Sequence, residues 1–141
     1  MPYRFIEHTA DIAVEVSANT LEELFTISCH AWRDTALDSV DTSSTDEQII
    51  CVKAESCEAL LIKFLSELNF LLYTKKWVFN SISRLEIKKE NSSLILNSEI
   101  LGENYDETIH YLKEEIKAVT FHQMKIEKHE DIFKTLIVFD I

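Results

Sequence analysis

The chain has 141 residues, of which one is glycine and one is proline, and its 25 acidic and 14 basic side chains give a formal net charge of −11. This length predicts one domain over residues 1–141, and a single glycine excludes dinucleotide-binding and Walker-type phosphate loops, because each needs several glycines where backbone meets phosphate. The negative charge argues against stable, unaided binding to nucleic acid or anionic membranes and suits a basic protein partner or a cation better. The alternative is that the surface acids only keep the domain soluble.

The first predicted elements are a strand and a capped helix. Apolar residues alternate with small or polar residues over 12–18, which predicts a half-buried strand. Thr20 and Glu23 have the spacing of a capping box, in which a hydroxyl and a carboxylate satisfy the free amides at a helix start. Apolar residues recur at helical spacing from Leu21 until near Leu37, so we predict the first helix there.

A polar loop, a short strand and a second helix are predicted next. Residues 38–47 are almost all polar, which is typical of a loop, and the apolar run over 49–52 predicts a strand. Ser56 is placed to cap the second helix. The apolar stripe of this helix, at spacings of three and four, predicts a buried face made of Leu61, Phe64, Leu65, Leu68, Leu71 and Leu72.

The second half of the chain is predicted to be mostly strand. Residues 79–88 and 94–101 predict a strand pair, and the β-branched and aromatic run over 133–140 predicts the last strand. The alternation over 115–127 predicts one long strand, with Lys117 within it. Two helices among about six or seven strands predict an α+β fold, in which two amphipathic helices pack on one face of a largely antiparallel or mixed β-sheet.

The cysteines and the apolar segments predict the compartment. Cys29, Cys51 and Cys57 are odd in number and include no C-x-x-C pair, as expected of free thiols in a reducing environment. The N-terminus lacks the apolar core of a signal peptide, and no apolar run approaches the ~18 residues of a membrane span. We therefore expect a cytoplasmic protein that does not associate with membranes.

Two acidic positions lie where strands are predicted to begin or end. Asp11 precedes the strand over 12–18, and Asp140 is followed by Ile141 with its α-carboxylate. If the sheet brings these groups together, the anionic groups need a cation or protons between them, and oxygen donors suit Mg²⁺, Ca²⁺ or Mn²⁺. The alternative for Asp11 is an Asx-turn that aligns the strand.

Lys117 and the histidines are the other candidate functional residues. Lys117 is flanked by apolar Ile116 and Ala118, which is unusual for a lysine, although a lysine on the solvated face of a sheet has the same pattern. The sequence contains no zinc-binding spacing and no nucleophile elbow, so it indicates no catalytic centre. The histidines are scattered along the chain at His8, His30, His110, His122 and His129.

The chain resembles the archease family along its whole length. The family's E-H-T-A-D-I-G corresponds to 7–13, T-L-E-E-A-F to 20–25, and K-A-V-T-Y-H-x-M-K-I-E-K to 117–128. Further matches are the second helix over 58–68, Gly102-Glu103 with His110, and the C-terminal pair Asp140-Ile141. Ala13 stands where the family has glycine and Phe121 where it has tyrosine, and neither position is a predicted ligand.

The resemblance implies a non-enzymatic activator. Archeases stimulate the RtcB-type RNA ligase, which joins tRNA exon halves with GTP and a divalent metal, by promoting guanylylation of a ligase histidine and multiple turnover. The resemblance also implies a divalent metal ion (calcium, magnesium or manganese) bound by Asp11, Asp140 and the C-terminal carboxylate of Ile141. Lys117 corresponds to a lysine that is tied to activation in the family.

Two other function classes remain open at this point. A chaperone-like module would bind an RNA-modifying enzyme, such as a tRNA methyltransferase, and limit its aggregation or alter its specificity, a role also proposed within the family. A small metal-dependent hydrolase would use Asp11 and His8, but the sequence offers no base–nucleophile pair to go with them. The resemblance assigns no role to His8, His110 or His122.

Overall fold

The computed structural model describes residues 2–6, 11–38 and 43–141, which form two α-helices and eight β-strands. The elements in chain order are β1 (Tyr3–Ile6), β2 (Asp11–Ala18), α1 (Leu21–Ala36), β3 (Asp46–Ala54), α2 (Cys57–Tyr73), β4 (Trp77–Glu90), β5 (Ser93–Asn104), β6 (Ala118–Thr120), β7 (Glu127–His129) and β8 (Ile132–Asp140). The predicted α+β class is confirmed, whereas β1 is a strand that the sequence pattern does not predict. Within the described residues no helix is long and apolar enough to cross a membrane.

The strands form two antiparallel sheets rather than the single sheet that the sequence predicts. In the first sheet the order is β1-β2-β8-β6, and β7 also pairs with β8. In the second sheet β5 lies between β3 and β4. β3 begins at Asp46, inside the predicted polar loop over 38–47, of which residues 39–42 lie outside the described part of the chain. The first sheet therefore joins the earliest strands of the chain to the last one, and β8 has partners on both sides.

Both helices lie between the two sheets and supply much of the core. α1 contacts β2 and β8 of the first sheet and β4 of the second, whereas α2 contacts β6 and all strands of the second sheet. The rings of Phe25 and Phe64 join the two helices, with centroids 6.4 Å apart. The predicted stripe of α2 is confirmed, because all its residues are buried except Leu71, which is half-buried and still packs on the core. The largest fully buried side chains include Trp32, Phe25, Phe64, Phe79 and Phe139.

Both helix N-termini are capped as the sequence predicts. Thr20 Oγ1 accepts a hydrogen bond from the Glu23 amide at 3.1 Å, and the Glu23 carboxylate accepts one from the Asn19 amide at 3.3 Å. Ser56 Oγ accepts from the Ala59 amide at 3.1 Å. These bonds satisfy amides that have no partner inside the helices, so the caps fix where the two helices begin.

The predicted long strand over 115–127 is wrong. β6 and β7 have three residues each, and the chain leaves the sheet between them. Gln123 has a left-handed backbone with φ 56°, and the Met124 amide donates to the Phe121 carbonyl at 3.0 Å, which makes a turn there. The apolar alternation therefore continues through a turn, and Lys117 lies just before β6 rather than within a strand.

The single glycine lies in β5 at a position where no side chain fits. A Cβ on Gly102 would meet the carbonyl oxygen of Val78 and lie 2.7 Å from the ring of Trp77, both on the neighbouring β4. The Trp77 indole also donates to the Asp46 carboxylate on β3 at 3.0 Å, so this ring reaches across the second sheet. Gly102 has no positive φ, which means that the glycine is needed for space and not for an unusual backbone conformation.

Candidate functional site

Asp11 and Asp140 lie directly opposite each other at one end of the first sheet. They are partners in the antiparallel register of β2 and β8, and directly opposite residues project to the same face of a sheet with Cβ atoms about 4.5–5.5 Å apart. Asp11 is half-buried and Asp140 is exposed. The chain continues from Asp140 into Ile141, whose side chain packs against the core. The sheet thus brings together the two carboxylates that the sequence places at the ends of separate strands.

Lys117 is fixed next to Asp140 by its backbone. Its amide donates to the Asp140 carbonyl at 2.7 Å, and the following residue, Ala118, is the partner of Asp140 in the register of β6 and β8. Lys117 is exposed, so its ammonium group is accessible at this end of the sheet. Three of the predicted site residues, Asp11, Lys117 and Asp140, therefore lie on neighbouring strands or directly beside them.

An asparagine of α2 holds the segment that leads into β6. Asn69 Nδ2 donates to the Ile116 carbonyl at 2.7 Å, and Asn69 Oδ1 accepts from the indole of Trp32 on α1 at 2.8 Å. The oxygen and the amino group of the Asn69 side chain thus each have a partner, which fixes the orientation of the amide. Sequence reasoning misses this residue, because a polar side chain beside the apolar stripe of a helix looks like part of its solvated face.

Tyr73, one turn further along α2, holds the same segment. Its hydroxyl accepts from the Ile116 amide at 3.0 Å and donates to the Glu114 carbonyl at 2.9 Å. Burial is the largest cause that raises the pKa of Tyr73 above its ordinary value. A groove of about 490 Å³ runs along this contact, and Lys117 lines it together with Asn69 and Tyr73. The two polar side chains of α2 therefore hydrogen-bond the backbone groups of this segment, as a neighbouring strand does elsewhere in the sheet.

A cleft of about 390 Å³ opens beside Asp11. The Tyr3 hydroxyl donates to the Asp34 carboxylate, and burial, followed by this bond, raises the pKa of Tyr3 to about 12. Sequence patterns do not predict this cleft, because β1 forms part of it. The cleft has apolar and charged walls made of Phe5, Ile6, Asp11, Ile12, Asp34, Thr35, Lys113 and Glu114.

His110 is buried in a separate polar cluster at the second sheet. Its Nδ1 accepts from the Asp106 amide at 2.8 Å, so Nε2 carries the proton and donates to the Glu103 carboxylate at 3.1 Å. The Ser43 amide donates to Glu103 at 2.8 Å and is the largest cause that lowers the pKa of that carboxyl. The matches of Glu103 and His110 to the archease pattern are the sequence signal for this cluster, which ties the segment before β3 to β5.

The remaining candidates among the described residues do not add a ligand to the two aspartates. His8 lies in 7–10, outside the described residues. His122 is exposed in the turn after β6, where its amide donates to Thr120 Oγ1 at 3.3 Å. Across 2–6, 11–38 and 43–141, no three His, Cys, Asp or Glu side chains form a group that could hold a metal. If Asp11 and Asp140 hold a metal, a third donor from the described residues would be another kind of group, such as the C-terminal carboxylate that the family resemblance implies.

The chain matches a known family over almost its whole length. The model of the Archease protein family (MTH1598/TM1083) matches residues 3–141. The chain belongs to the archease family. Protein archease of Methanosarcina acetivorans is 34% identical to this family member over 139 residues, 99% of this chain and 95% of that protein. Protein archease of Pyrococcus furiosus is 37% identical over 125 residues, 89% of this chain and 87% of that protein.

Two solved structures are similar to this archease-family fold. The solution structure of Methanobacterium thermoautotrophicum protein 1598 has a TM-score of 0.83 at 27% identity and covers 99% of both chains. The crystal structure of an archease from Thermotoga maritima, described as a possible chaperone, has a TM-score of 0.59 at 29% identity. It covers 96% of this chain and 94% of its own. These relatives are described as proteins or as a possible chaperone rather than as enzymes.

Proposed function

We propose that this archease-family protein activates an RtcB-type RNA ligase, the GTP- and metal-dependent enzyme that joins tRNA exon halves, without catalytic turnover of its own. It would act in the cytoplasm by promoting guanylylation of a ligase histidine and by allowing multiple turnovers. The observation that best supports this function is the pairing of Asp11 with Asp140 beside Lys117. These are the residues that the family resemblance ties to metal binding and activation.

The proposal includes a site for a divalent metal ion (calcium, magnesium or manganese) at Asp11, Asp140 and the α-carboxylate of Ile141. Two carboxylates opposite each other in a sheet repel, and a cation between them removes that repulsion. All the proposed donors are oxygens, which suits these hard cations. When bound, the cation supplies positive charge at the end of the first sheet, where an anionic group of the ligase complex can meet it.

The protein would act on the ligase through charge and a fixed geometry. A net charge of −11 favours docking close to a basic active site. The Lys117 ammonium is a point charge suited to phosphate, and the bonds of Asn69 and Tyr73 to Ile116 hold its backbone in position. The rate changes through the ligase state that the protein stabilises, because a ligand shifts an equilibrium only by its different affinities for the two states.

The test is the rate of ligase guanylylation by GTP, measured with and without this protein. The wild-type protein is expected to raise the rate, and Asp11→Ala, Asp140→Ala and Lys117→Ala are expected to lose the stimulation while keeping the wild-type circular dichroism spectrum. Asp131→Ala is the matched control, because Asp131 is an exposed acid in the turn between β7 and β8. Equal rates with and without the wild-type protein would refute the function, and full stimulation by Asp140→Ala would refute the site.

A second function, supported by a different observation, is chaperone-like binding to an RNA-modifying enzyme such as a tRNA methyltransferase. The Thermotoga maritima relative is described as a possible chaperone, and here Ile109, Tyr111 and Leu112 are 44%, 53% and 49% exposed on one segment. Exposed apolar groups of this kind can bind the apolar surface of another protein. This function predicts that the protein suppresses light scattering by a heated methyltransferase, that Tyr111→Ser weakens the effect, and that Asp140→Ala retains it.

A further inference from the structure

β3 is a long, regular strand at the edge of the second sheet. It pairs with β5 over nine consecutive residues without a shift in register. β4, at the opposite edge, is interrupted by two register shifts, and the edge strands β1, β6 and β7 of the first sheet have only four, three and three residues. Bulges and short strands are common protections of a sheet edge against pairing with another chain. Among the described edge strands, β3 alone has neither protection.

The outer face of β3 carries exposed residues at alternate positions. They are Glu47, Ile49, Cys51 and Lys53, and Ile49 is 74% exposed. The residues between them face inward, where Ile50 is buried in the core. β3 therefore presents one charge of each sign near its two ends and two less polar residues between them.

The exposed residues of β3 match those of a second, antiparallel copy of the same strand in charge and polarity. When two copies of β3 lie antiparallel about Ile50, Glu47 of each copy faces Lys53 of the second copy. In the same register Ile49 faces Cys51 of the second copy. The pattern repeats across a two-fold axis, so it gives two Glu–Lys pairs on either side of an apolar centre.

The charged side chains at the ends of β3 are exposed for this contact. Within the sheet, Glu47 lies opposite Leu101 of β5, and Lys53 lies opposite Ile95. Neither charge therefore has an opposite charge as its direct neighbour on β5. The Lys63 ammonium donates to the Lys53 carbonyl at 2.7 Å, so the side chain of Lys53, rather than its backbone, would carry the contact at that end.

We propose that β3 is a self-association surface, through which two copies of this chain form a symmetric dimer. The β3 strands pair antiparallel about Ile50 and join two three-stranded sheets into one continuous sheet. Repulsion between two chains of net charge −11 opposes association, but salt at physiological strength screens it beyond about 8 Å, whereas the Glu–Lys pairs act at contact distance. Asp11 and Asp140 lie on the other sheet, so the dimer presents two copies of the candidate site.

Charge exchange at the ends of β3 tests the dimer and its register together. Glu47→Lys places two lysines opposite each other, and Lys53→Glu places two glutamates opposite each other. Each variant alone is therefore expected to have a dissociation constant about tenfold higher than that of the wild type. An equimolar mixture of the two variants has opposite charges at both ends, so its dissociation constant should return to the wild-type value. Sedimentation velocity over a range of protein concentrations measures each constant.

Three further variants separate a specific contact from a change in overall charge. Glu90→Lys and Lys89→Glu make the same charge changes at the end of β4, and they are expected to leave the dissociation constant unchanged. Ile49→Lys places a charge in the middle of the contact and should give a monomer at every concentration. Within its own chain the new lysine faces Glu99 of β5, so the fold is retained, which circular dichroism verifies.

Three results would overturn the proposal. The first is wild-type protein that remains monomeric up to the highest soluble concentration. The second is an Ile49→Lys variant that associates as strongly as the wild type, which would place any dimer contact elsewhere. The third is a mixture of Glu47→Lys and Lys53→Glu that associates no better than either variant alone, which would exclude the antiparallel register about Ile50.

Discussion

The Tyr73 hydroxyl makes two of the hydrogen bonds that hold the segment before β6, so removing it tests how this end of the first sheet is kept in place. Tyr73→Phe deletes one oxygen without changing the shape of the ring. The Ile116 amide and the Glu114 carbonyl each lose their hydrogen bond to the tyrosine hydroxyl. At about 1 kcal/mol net for each bond, the free energy of unfolding should fall by about 2 kcal/mol. If the loss is confined to this segment, its opening equilibrium rises roughly thirtyfold.

Two measurements follow this loss separately. Urea unfolding reports the change in global stability, and amide hydrogen exchange at Ile116 and Lys117 reports local opening. Tyr111→Phe is the matched control, because the Tyr111 hydroxyl is exposed and its bond to the Thr108 carbonyl is 3.4 Å long, too long to contribute much. Unchanged exchange at Ile116 in Tyr73→Phe would show that the tyrosine neither holds the segment nor fixes the position of Lys117.

Gly102→Ala should lower the free energy of unfolding by about 3 kcal/mol, because the new methyl group meets the Val78 carbonyl; thermal unfolding measures the loss. Glu103→Gln should destabilise the fold near neutral pH, since Ser43 and its other partners lower the pKa of Glu103 from 4.5. The ionised carboxylate therefore stabilises the fold above pH 4.5, and this contribution disappears as pH falls through the lowered value, so urea unfolding of the two proteins should converge in acid. Two residues added after Ile141 should abolish calcium binding in titration calorimetry with little effect on stability, and undiminished binding would remove its α-carboxylate from the proposed ligands.

The helices could be predicted well because their signals are local. The capping residues Thr20 and Ser56 act on amides three residues ahead, and each side-chain bond is present as expected. The apolar stripe of α2 likewise repeats at a spacing that only a helix places on one face. These interactions join residues that are only three or four positions apart in the chain, so a single sequence is enough to identify them.

The strands could be predicted only in part, because strand pairing depends on residues that are far apart in the chain. The alternation over 115–127 has the pattern of one strand, but the left-handed backbone of Gln123 turns the chain without a glycine or proline to mark it. The division into two sheets has no local signal either. Asp11 and Asp140 could be singled out as acids at strand ends, whereas their direct pairing is a property of the tertiary structure.

The side chains that position the candidate site are the least predictable part of it. Asn69 and Tyr73 belong to α2, and their partners are backbone groups of Ile116 and Glu114. A hydrogen bond to the backbone requires no particular residue type at the partner position, because almost every residue offers the same amide and carbonyl. The sequence therefore gives no sign of which residues are the partners. Lys117 could be found because a lysine between two apolar residues is unusual, but its supporting contacts could not.

The position of β8 between strands from opposite ends of the chain has a consequence for folding. β4 and β5 are joined by a tight turn at Asn91, so the second sheet can begin to form from residues close in sequence. β2 and β8 are separated by most of the chain, and closing such a long loop costs more entropy and slows pairing. Because Asp11 meets Asp140 only when these two strands pair, we expect the candidate site to form late in folding. An intermediate that already contains both helices and the second sheet would still lack it.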